Sequence, residues 1–382
     1  MKKGVKESFR NIFFLGGSSF FNDIGSEMIT PIIPFYTIAL GGTGVAVGLI
    51  SGLREGLSSL FKIFGGWFSD KIGKRKPFVF LGYFLSVIFK FFLALAHSWQ
   101  AIISFISLER FGKLRDAPRD VIITQSTKKT GKGFALHQAM DTSGAIIGTL
   151  LVIFLFWKLQ LKMQTIIFIA AGISALSLIP LFFVKEINGK KTKLSFLKGI
   201  KNLNPRLKYF VFVASVFTLA NFGLYLFLLL LVKEATGDIV IPLIIYMVFS
   251  FVYAFFAVPF GNLSDKIGRK KVLLIGYILF FAIALTFVFL HNVIILISLF
   301  ILYGLVYAIT QPNQKAFVSD LSGKKIKGTA LGFYASVTGI VNIFGGLIAG
   351  ILWDVNYVLM FGFISVVAFI SIILLGFVRE RK

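Results

Sequence analysis

A chain of 382 residues that is 57% hydrophobic and only 15% charged, with a mean hydropathy of +0.88, is too apolar for a soluble domain, where about 25% of residues carry charge. The formal charge of +24 would suit nucleic-acid binding, but 29 of the 40 Lys and Arg residues fall in alternate short loops and at the termini, so membrane topology explains them and no nucleic-acid partner is needed. The absence of cysteine excludes disulfides and thiolate metal sites.

A bilayer span needs ~20 largely apolar residues. Twelve such stretches are predicted, at 11–40, 44–69, 77–96, 100–126, 133–157, 163–184, 208–232, 239–263, 271–291, 294–319, 327–352 and 357–378, and they leave little chain for a soluble catalytic domain. The basic loops are the N-terminus, 71–76, 128–132, 185–208, 266–271, 324–327 and the C-terminus, whereas the opposite loops hold only Lys158, Lys162 and Lys233. This asymmetry predicts a multi-pass protein of the cell inner membrane with both termini cytoplasmic, its basic loops facing anionic lipid headgroups.

In span 1, Gly16, Ser19, Asp23, Glu27, Thr30 and Pro34 recur at steps of three and four and share one helical face. The polar residues in this run, and the lack of a small-residue cleavage site, predict that it is retained and not removed as a signal peptide. From an entry near residue 11, Asp23 lies ~18 Å along the helix, near the middle of a ~30 Å hydrocarbon core. Charges at that depth are costly and functional by default. Asp23 and Glu27 are therefore candidates for proton or substrate binding, the alternative being that they tie helices together through Arg54 or Arg110. Arg54 and Glu55 of span 2 also lie near mid-depth and either complete a charge network or contact substrate.

Span 4 is the most charged, LERFGKLRDAPRD over 108–120, with Glu109, Lys113, Asp116 and Asp120 along one stripe and Arg115 and Arg119 on the other side. Glu109 before Lys113 is the favourable order for an i,i+4 pair, and Pro118 predicts a kink near the cytoplasmic end. Span 5 places His137 and Asp141 one turn apart, followed by Gly144 and Gly148; the pair can relay protons, or His137 is a packed, hydrogen-bonded residue. The spans of the second half carry few charges, and Asn221, Tyr225, Tyr303, Tyr307, Gln311 and Asn313 are the polar handles of a mainly apolar wall suited to an amphipathic ligand.

The two halves repeat. GGWFSDKIGKRK at 65–76 matches FGNLSDKIGRKK at 260–271, and Gly133, Asp141 and Gly144 align with Gly328, Ser336 and Gly339 at the same offset. Within the repeated loop, Gly66 and Gly261 are expected to let helices approach closely, Gly73 and Gly268 to allow a tight turn, and Asp70 and Asp265 to accept from neighbouring cations.

These paired loops, one after span 2 and one after span 8, resemble the signature loop of the major facilitator superfamily, and the resemblance covers essentially the whole chain. It implies an all-α membrane protein with 12 transmembrane helices in two pseudo-symmetric six-helix bundles, residues 1–184 and 208–382, joined by a basic cytoplasmic linker, 185–207. In that family the loop is a conformational latch. The resemblance thus implies that Lys71, Lys74 or Arg75 meets a carboxylate such as Asp120, with Arg269 in the second copy. Arg110 resembles the family's membrane-embedded arginine of span 4, often tied to proton coupling, although Lys113 and Leu114 replace the usual Gln and Gly; such an arginine can equally hold an anionic substrate. Gly144 and Gly148 resemble the family's exporter motif, with Thr149 in place of its proline. FFNDIGSEMITPIIPFY, ERFGKLRDAPRD and ALHQAMDTSGA are similar to a bacterial subgroup without an assigned substrate.

The leading expectation is a proton-coupled exporter of a small amphipathic compound, a monomer whose partners are its substrate, protons and lipid, with Asp23, Glu27, Arg110 and Asp141 carrying the coupling. The alternative is a transporter of anionic metabolites or metal chelates that uses Arg54, Arg110, Lys113 and Arg115, and a non-transporting receptor or lipid scramblase is a third class. No enzyme signature and no glycine-rich phosphate loop occurs, so neither catalysis nor a nucleotide, metal or other cofactor is expected.

Overall fold

The computed structural model describes residues 2–127, 130–187, 203–289, 292–322 and 327–378, with side chains from residue 9 onward. The predicted linker therefore falls largely outside the described residues, as do parts of the basic tracts at 128–132, 324–327 and the C-terminus. All regular structure among the described residues is helical. The helices are α1 (Lys2–Ile29), α2 (Ile33–Ala39), α3 (Gly44–Ile72), α4 (Lys76–Ala94), α5 (Trp99–Glu109), α6 (Asp116–Ser126), α7 (Thr130–Trp157), α8 (Met163–Ala175), α9 (Leu178–Phe182), α10 (Pro205–Ala220), α11 (Tyr225–Thr236), α12 (Val240–Ile267), α13 (Arg269–Phe289), α14 (Val293–Leu321), α15 (Lys327–Val355) and α16 (Tyr357–Gly376).

These helices build the twelve predicted spans, four of which are interrupted. Among the described residues nine spans are long and apolar enough to cross a membrane; the other three, over 2–39, 44–72 and 99–126, are the most heavily charged, with seven, five and seven acidic or basic residues. Span 1 passes through a 3-10 turn at Thr30–Ile32, next to Pro31 and Pro34. Span 4 is 3-10 from Arg110 to Arg115, so the break precedes Pro118 rather than following it. A proline ring clashes with the carbonyl four residues back, here that of Leu114, which accounts for the irregular turn on that side. Span 6 breaks between α8 and α9, and span 7 at Asn221–Leu224, where Gly223 has φ +93°. Irregular backbone at membrane depth must be satisfied by protein groups. Ser51 Oγ does this at the span 7 break, lying 2.9 and 2.8 Å from the carbonyl oxygens of Phe222 and Gly223.

The chain divides into two compact units. The first holds residues 1–41 and 57–194, the second residues 42–56 and 195–382, so the first half of α3 packs within the second unit. In the first unit α1 packs against α7 and α8, and α4 against α8 and the 3-10 turn of span 4. Glycines set the α1–α7 approach: a Cβ at Gly144 would lie 3.0 Å from Phe20 Cα, and one at Gly148 3.0 Å from Ile24 Cα. Both neighbours are backbone atoms and cannot rotate away. Gly148→Leu is therefore expected to destabilise the fold by about 1–3 kcal/mol or more, the usual size of overpacking, read as a lower unfolding temperature in detergent.

In the second unit α12 packs on α14, and α13 on α14 and α16. Gly48 and Gly52 of α3 meet α15 closely: a Cβ at Gly48 would lie 3.1 Å from Gly350 Cα, and one at Gly52 2.8 Å from Ile343 Cα. Small residues at four-residue spacing permit this contact, as in other membrane helix pairs. Asp354 caps the start of α3, its carboxylate accepting from the Gly44 and Val45 amides at 2.5 and 3.0 Å.

Candidate functional site

The charged residues of the first unit converge in the space between α1, α4, span 4 and α7. Asp23 of α1 and Asp141 of α7 are near enough to act on each other electrostatically. Asn22 donates from Nδ2 to Asp23 Oδ1 at 3.2 Å, and its Oδ1 accepts from Lys90 Nζ at 3.0 Å. Lys90, only 2% exposed in the last turns of α4, also reaches the Asn22 carbonyl, Ser26 Oγ and Ser174 Oγ at 3.1, 2.9 and 2.9 Å.

A second branch runs through span 4. Ser86 Oγ donates to Glu109 Oε1 at 2.6 Å and lies 3.3 Å from Asn22 Oδ1. Glu109 is ion-paired with Arg110. Arg115, 3% exposed, donates to the Gly112 carbonyl at 3.0 Å, thereby satisfying a carbonyl of the 3-10 turn, and its guanidinium stacks 4.2 Å over the Tyr83 ring. Asp116 is shared among Arg119, Lys113 and Arg115 at 3.7, 4.0 and 4.0 Å. Arg119 also pairs with Asp120 at 3.0 Å and reaches Ser19 Oγ at 3.4 Å, while Ser19 Oγ bonds the Tyr83 hydroxyl at 2.9 Å. His137 is buried; its Nε2 has no hydrogen-bond partner among the described residues, and it lies in the field of Arg119, Asp23, Asp116 and Arg115.

The expected residues are thus distributed unevenly. Asp23, Arg110, Lys113, His137 and Asp141 all belong to this cluster, and Glu27 is half-buried one turn beyond Asp23 on α1. Arg54 and Glu55 fall in the part of α3 that packs in the second unit: Arg54 is 9% exposed, and Glu55 acts electrostatically on Tyr253, Tyr303 and Tyr307. There Asn221, at the span 7 break, accepts from the Tyr303 hydroxyl, and Tyr225, Phe249, Tyr303 and Tyr307 form an aromatic group with ring centres 5.1–6.2 Å apart. Gln311 is half-buried, one turn beyond Tyr307 on α14. Lys90 and Asn22, which connect the two branches, are the members that reading the sequence missed; a lone lysine in an apolar span shows no periodicity, and its length alone hints that it reaches a polar partner.

The repeated loops are built alike in part. Gly73 and Gly268 take φ +79° and +100°, a conformation that suits glycine, and Ser69 and Ser264 bond back to the Gly66 and Gly261 carbonyls at 2.9 and 2.8 Å. Lys76 and Lys270 donate to the Phe182 and Gly376 carbonyls near the end of the last helix of each half. Several expectations require correction. Arg75 pairs with Asp70 at 2.5 Å, not with Asp120, because Arg119 already neutralises Asp120. The carboxylate that meets this loop is Glu186, which accepts from the Arg75 and Lys76 amides at 2.8 and 3.1 Å and caps α4. Lys71 lies 5.2 Å over the Trp67 ring, and Lys74 is exposed. Gly66 is near Ala117, where an added Cβ would meet that methyl at 3.2 Å, but a Cβ at Gly261 would meet nothing within 4 Å, so no close approach explains that glycine. In the second loop Arg269 pairs with both Asp265 and Asp320, the latter at 3.1 Å.

The sequence matches the family model described as Major Facilitator Superfamily over residues 15–239 and again over 210–382. It is 45% identical over 381 residues to an uncharacterized MFS-type transporter of Methanocaldococcus jannaschii, covering 98% of this chain and 96% of that protein. Multidrug resistance proteins MdtH of Proteus mirabilis and Photorhabdus laumondii are 26% and 24% identical, covering 85% and 88% of this chain and 81% and 85% of theirs. Among solved structures, a mutant of the nucleoside transporter NupG superposes with a TM-score of 0.82 at 15% identity, covering 96% of this chain and 98% of that one. A peptide transporter POT bound to sulfate gives 0.79 at 14% identity, covering 96% and 94%.

Proposed function

The chain belongs to the Major Facilitator Superfamily, and we propose that this multi-pass membrane transporter exports a small amphipathic compound in exchange for protons, by alternating access. The observation that carries this reading is the cluster of charged side chains around Asp23 inside the spanning part of the first unit, where Asp23 accepts from Asn22 and lies in the field of Asp141. A carboxyl group held between helices can take up a proton on one side and release it on the other when those helices shift. Its proton load then becomes a difference in affinity between two conformations, which is what population shift requires. The MdtH relatives are named for multidrug resistance, which supports export of a small organic compound; the nucleoside and peptide transporters support the fold alone.

The anion-binding alternative has less support. Arg110 is ion-paired with Glu109, and Arg115 is engaged by Tyr83 and the Gly112 carbonyl, so both guanidinium groups are already committed. The rocking bodies are residues 1–184 and 208–382, joined through 185–207, and the transporter acts as a monomer in the cell membrane. The distribution of basic loops supports cytoplasmic termini.

The test uses proteoliposomes with a pH-sensitive dye inside and an imposed pH gradient. Adding pooled amphipathic organic compounds should dissipate the gradient, and pooled organic anions should not. The opposite preference would favour the anion-binding reading; no response to either pool would remove proton coupling.

A further inference from the structure

Lys90 has a feature that the coupling chemistry above does not use. An ammonium has three protons and no lone pair, so it can only donate. Four oxygens from α1 and α8 surround it, and all are neutral: the Asn22 carbonyl and Oδ1, Ser26 Oγ and Ser174 Oγ. A cation buried among neutral acceptors in a membrane interior is expensive unless it has a role.

Its contact with Asn22 has a directional consequence. A carboxamide offers oxygen on one side and NH2 on the other, and it can turn over. Lys90 demands the oxygen, so the NH2 must point the other way, where it meets Asp23 Oδ1 at 3.2 Å. A donor at that position favours the carboxylate of Asp23. If the amide turned over, its oxygen would face Asp23 and would instead favour the protonated acid.

We propose that Lys90 is a positioning residue for proton coupling: it fixes the orientation of the Asn22 amide and thereby sets how readily Asp23 gives up its proton. This inference rests on the proton-coupled reading above and assigns that site a further working part. The charged groups around the pair act in parallel. Asp23 faces Asp141 and His137 of α7, together with Lys113 and Arg115 of the span 4 turn; Lys90 feels Glu109, Arg110, Arg115 and Asp23. None of these orients Asn22, since among the described residues only Lys90 and Ser86 approach its Oδ1 and the serine hydroxyl donates to Glu109 at the shorter distance of 2.6 Å.

Lys90→Met is the first variant, because methionine fills similar volume without a donor. With its donor and charge removed, Asp23 holds its proton to higher pH, and the midpoint of the pH profile of substrate-driven proton flux moves up by about one unit, the low end of what a lost nearby opposite charge produces. Asn22→Leu should shift the profile in the same direction, the double variant should shift it no further than the larger single effect, and Lys90→Arg should restore most of the wild-type midpoint. A merely structural lysine would lower the rate and leave the midpoint in place, and that result overturns the proposal.

Infrared titration of the protonated carboxyl absorption that disappears in Asp23→Asn measures the same quantity without transport. An upward shift of that titration in Lys90→Met supports the role of Lys90 even if no proton flux is found in the wild type. An unchanged titration, in protein shown to be folded, sinks the proposal while leaving proton coupling itself standing.

Discussion

Asp23→Asn is expected to lose all accumulation of substrate driven by a pH gradient, down to the leak of protein-free vesicles, while still exchanging labelled for unlabelled substrate. Asparagine has the shape of the protonated acid and can keep a hydrogen bond to Asn22, so the packing of α1 against α7 need not change. What it cannot do is release a proton. Exchange of substrate for substrate requires no proton release in either direction, whereas net uphill movement does. The two assays therefore separate a coupling residue from a fold residue: loss of both would mean that Asp23 only holds helices together, and retention of both would mean that the coupling carboxylate lies elsewhere.

Replacing Glu109 by Gln is expected to cost about 3–5 kcal/mol of stability, the usual result of removing one partner from a buried ion pair. The side chains of Glu109 and Arg110 are 10% and 12% exposed, and the carboxylate also accepts from Ser86 at 2.6 Å. Neutralising it removes the charge that Glu109 sets against the buried Arg110 guanidinium and replaces one carboxylate oxygen by an amide NH2 in the same buried space. Thermal unfolding of the purified protein in detergent should fall steeply for Glu109→Gln. The double replacement Glu109→Leu with Arg110→Leu should recover much of the loss, because replacing both members by apolar groups removes the desolvation penalty together with the attraction. Unfolding of Glu109→Gln at the wild-type temperature would show that Arg110 is compensated by other groups.

The sequence announced the architecture well because nine spans are long apolar runs and alternate loops carry a basic charge signal. The charged faces of spans 1, 4 and 5 were equally readable, since helical spacing aligns Asp23 with Glu27 and places His137 one turn before Asp141. Features that depend on which side chain reaches which were not readable. The family resemblance implied that Lys71, Lys74 or Arg75 meets a carboxylate such as Asp120, but Arg119 stands next to Asp120 and claims it, and Glu186, which lies 111 residues from Arg75, caps the loop. The break in span 7 escaped notice because Asn221 and Gly223 are too few to interrupt an apolar pattern. Nor does any sequence pattern indicate that residues 42–56 pack with the second unit; the glycines of α3 and α15 are visible, but their pairing is a property of the folded chain.

The most direct test of proton-coupled transport is the steady-state substrate gradient in proteoliposomes as the imposed pH gradient is varied at fixed membrane potential. The account predicts that the substrate gradient grows with the pH gradient, reverses direction when the pH gradient is reversed, and vanishes when the gradient is collapsed by a protonophore. A substrate distribution indifferent to the pH gradient in both directions would contradict it.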